Sequence, residues 1–551
     1  MTDLHWASIW ETVADAVPSH PAIIQGGIAI SFGDYEHRAS CFAQALHDLE
    51  TSVGDAIAIC LPNCPEYAEA QFAALKNRQL VVNTNYRYKC AELTALLASS
   101  GAKVLLYHAD NEAVISELDR TQIPELAHVI RVGGGGRPGD VALSYDDLID
   151  ASPPAKRIFR SSSDPYVFYT GGTTGVPKGV VYPIGEHVGQ FLVNTPTTFG
   201  FAATDGPEDC ARRAKELVQE GASPSALPVA SLMHGTGNWG GLMGPHLFGG
   251  TSVFLSNRSF AALEMWDAIK ANEVTVAVIV GDAMALPAIR ALDQRAAEGA
   301  PVRARSLGLV LSSGAAFSRH LKVALLEHLP HIRIIDAIGS TEGVMGMSVS
   351  TADSVAETGV FVPLPGTKVF TGNGHEVLPG SGLIGSIAVG SAAIPSEYRG
   401  DPSKSACTFR SVNGRRYSFP GDLATVEANG SIRLLGRGSQ IINSGGEKVF
   451  AEEVEMMLKS LPHIDDAVVV GIPHERFGQA VAAVLTPSDG HVIDFDKVIK
   501  DATPLIADYK LPRAFAVAEV APRSVTGKPD YAKARDILTQ SAARVVGSLG
   551  A

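Results

Sequence analysis

The chain has 551 residues, of which 46% are apolar and 19% charged, and its 45 Lys and Arg against 58 Asp and Glu give a formal net charge of −13. That composition describes an ordinary globular protein with room for roughly three or four folding units. The acidic balance excludes a broad nucleic-acid-binding surface, so any bound phosphate has to be met by a local device rather than by a general field.

Six cysteines, Cys41, Cys60, Cys64, Cys90, Cys210 and Cys407, lack Cys-x-x-Cys spacing and histidines at ligand intervals, and read as reduced thiols. The start, Met1-Thr-Asp-Leu-His-Trp6, is neither basic nor a long apolar run, and no stretch reaches the length of a bilayer span. The expectation is a cytoplasmic protein with no integral membrane segment.

The first 160 residues alternate helical stretches with short apolar runs at Ala56-Ile-Ala-Ile-Cys60, Leu80-Val-Val82 and Val104-Leu-Leu-Tyr107, which predicts an α/β layer with largely parallel strands. Gly133 to Gly139 reads as a surface loop without chemistry. Pro165-Tyr-Val-Phe-Tyr169 reads as a short buried strand and leads into Thr170-Gly-Gly-Thr-Thr-Gly-Val-Pro-Lys178, followed by the strand-like Val180-Val181. Gly171, Gly172 and Gly175 let the backbone turn so that successive N–H groups converge, Thr170, Thr173 and Thr174 add hydroxyl donors, and Lys178 adds a point charge. Such a loop suits a richly anionic ligand, a nucleotide triphosphate above all. It is not a Walker P-loop, because Pro177 precedes the lysine and Gly179 follows it where a helix would have to start, so the loop is expected to join two strands.

Residues 200 to 228 are polar and helix-prone and read as an insertion over a more regular frame. Ser252-Val-Phe-Leu255, Val274-Thr-Val-Ala-Val-Ile-Val280 and Leu307-Gly-Leu-Val-Leu311 are each followed by Gly or Ser, as at strand ends that open into ligand-binding loops. Beyond about residue 436, Glu452 to Leu461 places Val454, Met457, Leu458 and Leu461 at helical spacing with acids in the first turn and Lys459 late. Val468 to Ile472 and Ala480 to Leu485 read as strands and Asp496 to Ile506 as a further helix, making a compact α+β unit.

Five segments stand in a fixed order: the glycine loop, Gly339-Ser-Thr-Glu342, Pro420-Gly-Asp422, Gly436-Arg437 with Gly445-Gly-Glu-Lys448, and Thr526-Gly-Lys528. Singly, an Asp after Gly is also a turn residue, a Glu after Thr a helix cap and a Lys after Gly a solvated tip. Their joint order resembles the adenylate-forming superfamily of acyl-CoA synthetases, peptide-synthetase adenylation domains and luciferases, over essentially the whole chain.

The resemblance implies an α/β fold: a large N-terminal region of several subdomains with parallel sheets (1–436, AMP-binding and acyl-substrate), a hinge at 437–440 carrying Ser439, and a small mobile α+β lid (441–551). It implies that a carboxylate attacks the α-phosphorus of ATP, expelling pyrophosphate, and that coenzyme A then takes the acyl group. In that scheme Lys528 bridges substrate carboxylate and α-phosphate; Lys178, Thr170, Thr173 and Thr174 handle the β and γ phosphates; Glu342 holds Mg²⁺; and Thr341 reaches the α-phosphate. Asp422 accepts the ribose hydroxyls with Arg437 assisting, Ser313, Gly314 and Ala315 line the adenine, and Gly339 and Ser340 complete the Glu342 motif.

Gly445, Gly446 and Lys448 resemble the acyl-CoA synthetase branch, where such glycines help form the coenzyme A tunnel. The chain departs from the common pattern at Ile338, where an aromatic usually stacks on adenine, at Ser439 and Gln440 in the pivot, at Ala451 and at Pro420. Within the branch, the motifs look most like bacterial synthetases acting on steroid side-chain carboxylates, with medium- or long-chain fatty acids as the alternative acid. A luciferase-type oxygenase and a non-catalytic nucleotide binder are more remote readings. The pocket residues implied are His234, Gly235, Gly281, Gly343, Val344 and Met345; His234 reads equally as a hydrogen-bonded core histidine. A homodimer is common among similar enzymes.

Overall fold

The computed structural model describes residues 4–134, 142–170, 177–391, 393–437, 440–444, 447–474, 478–488, 490–506, 508–524, 527–540 and 544–545. The early apolar runs form a sheet whose spatial order is Leu80–Asn83, Ala56–Cys60, Ala102–His108, His128–Val132 and Leu143–Ser144, with every neighbouring pair parallel. Ala56–Cys60 is buried at every residue, which explains its unbroken apolar sequence: a strand covered on both faces has no polar side to present. The intervening helices start on local signals. Ser31 caps Phe32–Asp48 by accepting from the Asp34 N–H, Pro65 opens Pro65–Lys76, and left-handed Gly101 ends Cys90–Ser100.

A second, larger sheet carries six parallel strands in the order Pro21–Gln25, Thr251–Phe254, Ser225–Pro228, Val276–Ile279, Leu309–Ser313 and Arg333–Ser340. It then turns antiparallel through Gly343–Ser350, Val360–Pro363, Ile432–Arg437 and Asp422–Val426. Ser225–Pro228 has the strand following it in sequence on one side and the next one on the other. The winding therefore reverses there, and a crevice opens at its carboxyl end.

This strand corrects the expectation that residues 200 to 228 are an insertion. Helix Pro207–Glu220 buries Cys210, Ala214 and Leu217 in the core that also holds Trp6 and Trp10, and the segment ends in a central strand. Only a narrow stripe of that helix is apolar, so its many charges masked its place in the core.

The last unit is a separate sheet of Glu447–Phe450, Ile441–Ser444, Gly478–Pro487, Ala514–Val517 and Arg544–Val545, with Ile464–His474 paired antiparallel to Gly478–Pro487. Helix Ala451–Lys459 inserts Val454 and Leu458 among Val469, Val481 and Leu485. The helix expected over 496 to 506 runs only from Phe495 to Ala502. Among the described residues no helix is long and apolar enough to cross a membrane, and all six cysteines are free thiols.

Beneath the large sheet, Lys322 of helix Arg319–His328 is fully buried with its Nζ 2.9 Å from Asp336 Oδ2 of strand Arg333–Ser340. Burial pushes the Asp336 carboxyl up to about 6, against the opposing pull of Lys322. Removing one partner strands the other charge, so Lys322→Met is expected to cost about 3–5 kcal/mol, whereas Lys322→Met with Asp336→Leu recovers most of it. Thermal unfolding midpoints of the two variants check this.

Candidate active site

The glycine loop joins two strands, as its sequence implies. Pro165–Thr170 and Lys178–Pro183 pair antiparallel from Pro165 opposite Pro183 to Thr170 opposite Lys178. Gly171, Gly172, Thr173, Thr174 and Gly175 lie outside the described residues, as do Ser439, Gly445 and Gly446. At the loop's exit Lys178 Nζ donates to Asp401 Oδ2 at 2.8 Å, and that hydrogen bond is the first cause holding the Asp401 carboxyl low. The two-residue strand Glu397–Tyr398 pairs with Val180 and Val181, and Tyr398 Oη donates to Glu342 Oε1 at 2.6 Å. From Lys178–Pro183 itself, Tyr182 Oη donates to the Thr341 carbonyl at 2.7 Å.

Thus Lys178, Thr341 and Glu342, more than 160 residues apart, are tied together by one hairpin and the short strand laid against it. Reading the sequence missed Tyr398 and Asp401. The available signal was Asp401-Pro402, in which Asp401 caps helix Pro402–Thr408 by accepting from the Lys404 N–H.

Glu342 sits in the turn between Arg333–Ser340 and Gly343–Ser350, its N–H donating to Ser340 Oγ at 3.3 Å. Ser313 ends a strand opposite Ala337, Gly314 has φ +90°, and Gly339 lies opposite Val344. Ala315 is a partly buried neighbour of an apolar sheet face that includes Val278, Val280, Leu311 and Met347.

Met345 requires a correction. A bulge between Ile338 and Gly339 adds one residue to the strand, so Met345 falls on the Ile338 side and is 1% exposed in the core with Phe361 and Val389, away from the apolar face. Met347, which the sequence reading did not single out, takes the place on that face. Ile338 is itself core-buried at 8% exposure. Gly343, at φ +149°, leaves room for Val389, where a Cβ would approach to 3.1 Å. Asp422 is buried and stands directly opposite Arg437 in the ladder of Asp422–Val426 with Ile432–Arg437. Lys448 lies in strand Glu447–Phe450 opposite Asn443.

The carboxyl edges of the two parallel sheets face each other across a cavity of about 380 Å³. One sheet supplies Asn63, Arg87 and His108, the other His234, Val280 and Met284. Side-chain amides build the wall. Asn63 Nδ2 donates to the carbonyls of Pro228 and Ala230 while its Oδ1 accepts from Leu232 N–H. Asn83 accepts from Tyr169 N–H and donates to the carbonyls of Tyr169 and Met233, so one buried amide fixes the strand entering the glycine loop and the residue before His234.

Among the described residues His234 Nε2 is buried without a hydrogen-bond partner. Desolvation first, then the charges of Lys528 and Arg87, bring its pKa down to about 3, so it is a neutral imidazole at neutral pH. Gly235 leaves space for the Trp239 ring, which a Cβ would meet at 2.9 Å. Gly281 has φ +45° and its Cβ would come within 2.2 Å of the Ala316 carbonyl, so no side chain fits between this helix start and the Ser313-Gly314-Ala315 segment. Lys528 reaches the same place from the C-terminal unit: Gly527, at φ +78°, lies so close to Ala283 that a Cβ would stand 2.9 Å from the Ala283 Cβ.

Residues 10–399 match the family model of AMP-binding enzymes and residues 453–528 that of the AMP-binding enzyme C-terminal domain. The chain is 36% identical over 547 residues to a 3-oxocholest-4-en-26-oate–CoA ligase of Rhodococcus rhodochrous, covering 97% of this chain and 96% of the relative. It is 37% identical over 545 residues, with the same coverages, to a medium/long-chain-fatty-acid–CoA/3-oxocholest-4-en-26-oate–CoA ligase of Mycolicibacterium smegmatis. Among solved structures, the anthranilate CoA ligase AuaEII in complex with anthranoyl-AMP superposes with a TM-score of 0.83 over 98% of both chains at 22% identity, a likeness of fold. Two sheets meeting at their carboxyl edges, a glycine loop between strands and a C-terminal lysine turn docked on the crevice are therefore features of a chain that belongs to the AMP-binding enzyme family.

Proposed function

We propose that this protein is an ATP-dependent, AMP-forming acid–CoA ligase that activates a bulky apolar carboxylic acid of the steroid side-chain class. The observation that carries the reading is the seating of the Gly527-Lys528 turn against Ala283 and Val280, at the edge of the cavity that Val280 and His234 line, together with the hairpin that ties Lys178 to Thr341 and Glu342. Two full-length relatives bearing the 3-oxocholest-4-en-26-oate name support the substrate class, and the fatty-acid name of one of them keeps medium- and long-chain acids as a second reading.

In the first step a carboxylate oxygen bonds to the α-phosphorus while the bond to the bridging oxygen breaks and pyrophosphate leaves with the electron pair. Two anions must be forced together, so cations placed beforehand lower the barrier. We assign that work to Lys528 at the α-phosphate and carboxylate, and to Lys178, steadied by Asp401, at the departing phosphates, with Thr170, Thr173 and Thr174 donating from the loop. Thr341 faces the α-phosphate, Asp422 with Arg437 takes the ribose, and Ser313, Gly314 and Ala315 border the adenine. Ile338, being in the core, offers adenine no stacking ring.

Glu342 offers one carboxylate, oriented by Tyr398, which fits a hard cation that keeps water and takes substrate phosphates as its other ligands. Mg²⁺ held there would neutralise charge on the triphosphate. In the second step the coenzyme A thiolate attacks the acyl carbonyl and AMP departs. The segment of Gly445, Gly446 and Lys448 is assigned to that half-reaction, reached by rotation about 437–440. Neutral His234 borders the acyl path as a gate, and Gly235, Gly281, Gly343 and Val344 shape it. The free thiols support a cytoplasmic setting.

Three outcomes test the reading. Lys528→Ala is expected to slow acyl-adenylate formation by about two orders of magnitude or more while thioester formation from supplied acyl-adenylate falls far less; equal losses in both half-reactions count against the assignment. Glu342→Gln is expected to raise the Mg²⁺ concentration needed for half-maximal pyrophosphate release by about tenfold or more, and an unchanged metal titration removes Glu342 from that role. In a pyrophosphate-release screen, steroid side-chain acids are expected to give higher kcat/KM than fatty acids of graded length and aryl acids. A maximum at short linear acids would contradict the bulky-substrate class.

A further inference from the structure

Lys459, singled out in the sequence only as a late cation on its helix, is 4% exposed, and its Nζ lies 2.6 Å from Asp282 Oδ2 in the large unit. Each charge suits its own helix. Asp282 stands in the first turn of Gly281–Ala297, where backbone N–H groups favour an anion, and Lys459 is the last residue of Ala451–Lys459, where carbonyls favour a cation. Asp282 has a second set of partners within the large unit, accepting from Ser318 N–H at 2.7 Å and Ser318 Oγ at 2.6 Å. Under the rotation that the proposed function requires, Asp282 would keep those hydrogen bonds while Lys459 would pass into water.

Its position ties it to Lys528 by rigid parts. Gly281, with no space for a side chain, fixes the helix start; Ala283, one residue beyond Asp282, is the seat of Gly527. Within the C-terminal unit Arg523 is paired with Asp466 and donates from Nη1 to the Gly527 carbonyl at 2.9 Å, and Ser524 N–H donates to the Lys528 carbonyl at 2.7 Å. Asp466 belongs to strand Ile464–His474, against which helix Ala451–Lys459 packs through Glu455, whose Oε1 accepts from Val469 N–H at 2.9 Å. Fixing Lys459 thus fixes the turn that carries Lys528. A second ion pair between the units, Arg290 with Asp465, has its arginine 41% exposed and contributes little by comparison.

We propose that Asp282 and Lys459 are positioning residues for the adenylation half-reaction: their buried ion pair docks the C-terminal unit in the orientation that presents Lys528 to the cavity beside His234. A buried pair suits this role because it forms in one register only, desolvation opposing every misaligned alternative. The proposal rests on the acid–CoA ligase reading, and its test separates the two.

In the full-length enzyme Lys459→Met, which keeps the buried stem, is expected to lower kcat for acyl-adenylate formation by about 10–100-fold, the scale of a small misplacement of a catalytic group. Thioester formation from supplied acyl-adenylate and coenzyme A is expected to stay within about twofold, because the rotation proposed about 437–440 separates the two units before that half-reaction. Asp282→Asn, which preserves the Ser318 side of the site, is expected to give the same split. Hydrogen exchange in 281–286 and 451–459 is expected to rise in both variants, a readout that needs no substrate. Retained protection in both variants, or a parallel loss of both half-reactions, overturns the positioning role. A wild-type enzyme that forms no adenylate from any carboxylic acid overturns the ligase reading instead, whatever the exchange shows.

Discussion

Parallel strands linked by helices leave all their carboxyl ends on one edge, and that edge is the place where loops are free to differ. In this chain two such edges are turned toward one another, with Asn63, Arg87 and His108 on one side and His234, Val280 and Met284 on the other. The reversal of winding at Ser225–Pro228 opens the crevice, and the amides of Asn63 and Asn83 hold its lip by donating to the Pro228, Ala230, Tyr169 and Met233 carbonyls. Everything else in the site is attached to this crevice. The hairpin around the glycine loop hangs from Asn83 through Tyr169, and the Lys528 turn rests on the helix that follows Val276–Ile279.

Charge is distributed in keeping with the acidic composition. No general positive field is needed when Lys178 is held by Asp401, Glu342 by Tyr398, and Lys528 is delivered by a separate unit. Burial first, and the charges of Lys528 and Arg87 after it, keep His234 neutral, and its buried Nε2 has no hydrogen-bond partner among the described residues. The buried contact of Asp282 with Lys459 joins the C-terminal unit to the large unit one residue from Ala283, the seat of the Gly527 turn.

Much of this was legible beforehand. Runs such as Ala56–Cys60 announce a doubly covered parallel strand, Pro177 before Lys178 tells a strand-joining loop from a Walker helix, and the spacing of Val454 and Leu458 marks the helix of the last unit. Each failure has a physical cause. Helix Pro207–Glu220 has a narrow apolar stripe among many charges and so resembles an insertion, although Cys210, Ala214 and Leu217 are core. Met345 stood in the pocket set that the resemblance implies, and a one-residue bulge, invisible without the partner strand, sets it in the core beside Ile338. Tyr398 and Asp401 lie more than 200 residues from Lys178, and only strand pairing brings them to it.

The sequence by itself determined the chemistry available: a glycine and threonine loop closed by Lys178, the Ser-Thr-Glu turn, Asp422 and a terminal Gly-Lys turn, in an order that carries its own meaning because residue type and local spacing are properties of the chain alone. Tertiary structure decided which of these groups meet. Strand register chose Met347 over Met345, sheet order placed His234 opposite Arg87, and helix ends from two units set Lys459 on Asp282. Such choices depend on contacts between residues hundreds of positions apart, where burial and pairing in three dimensions outweigh any local preference, so they become visible only once the chain has folded.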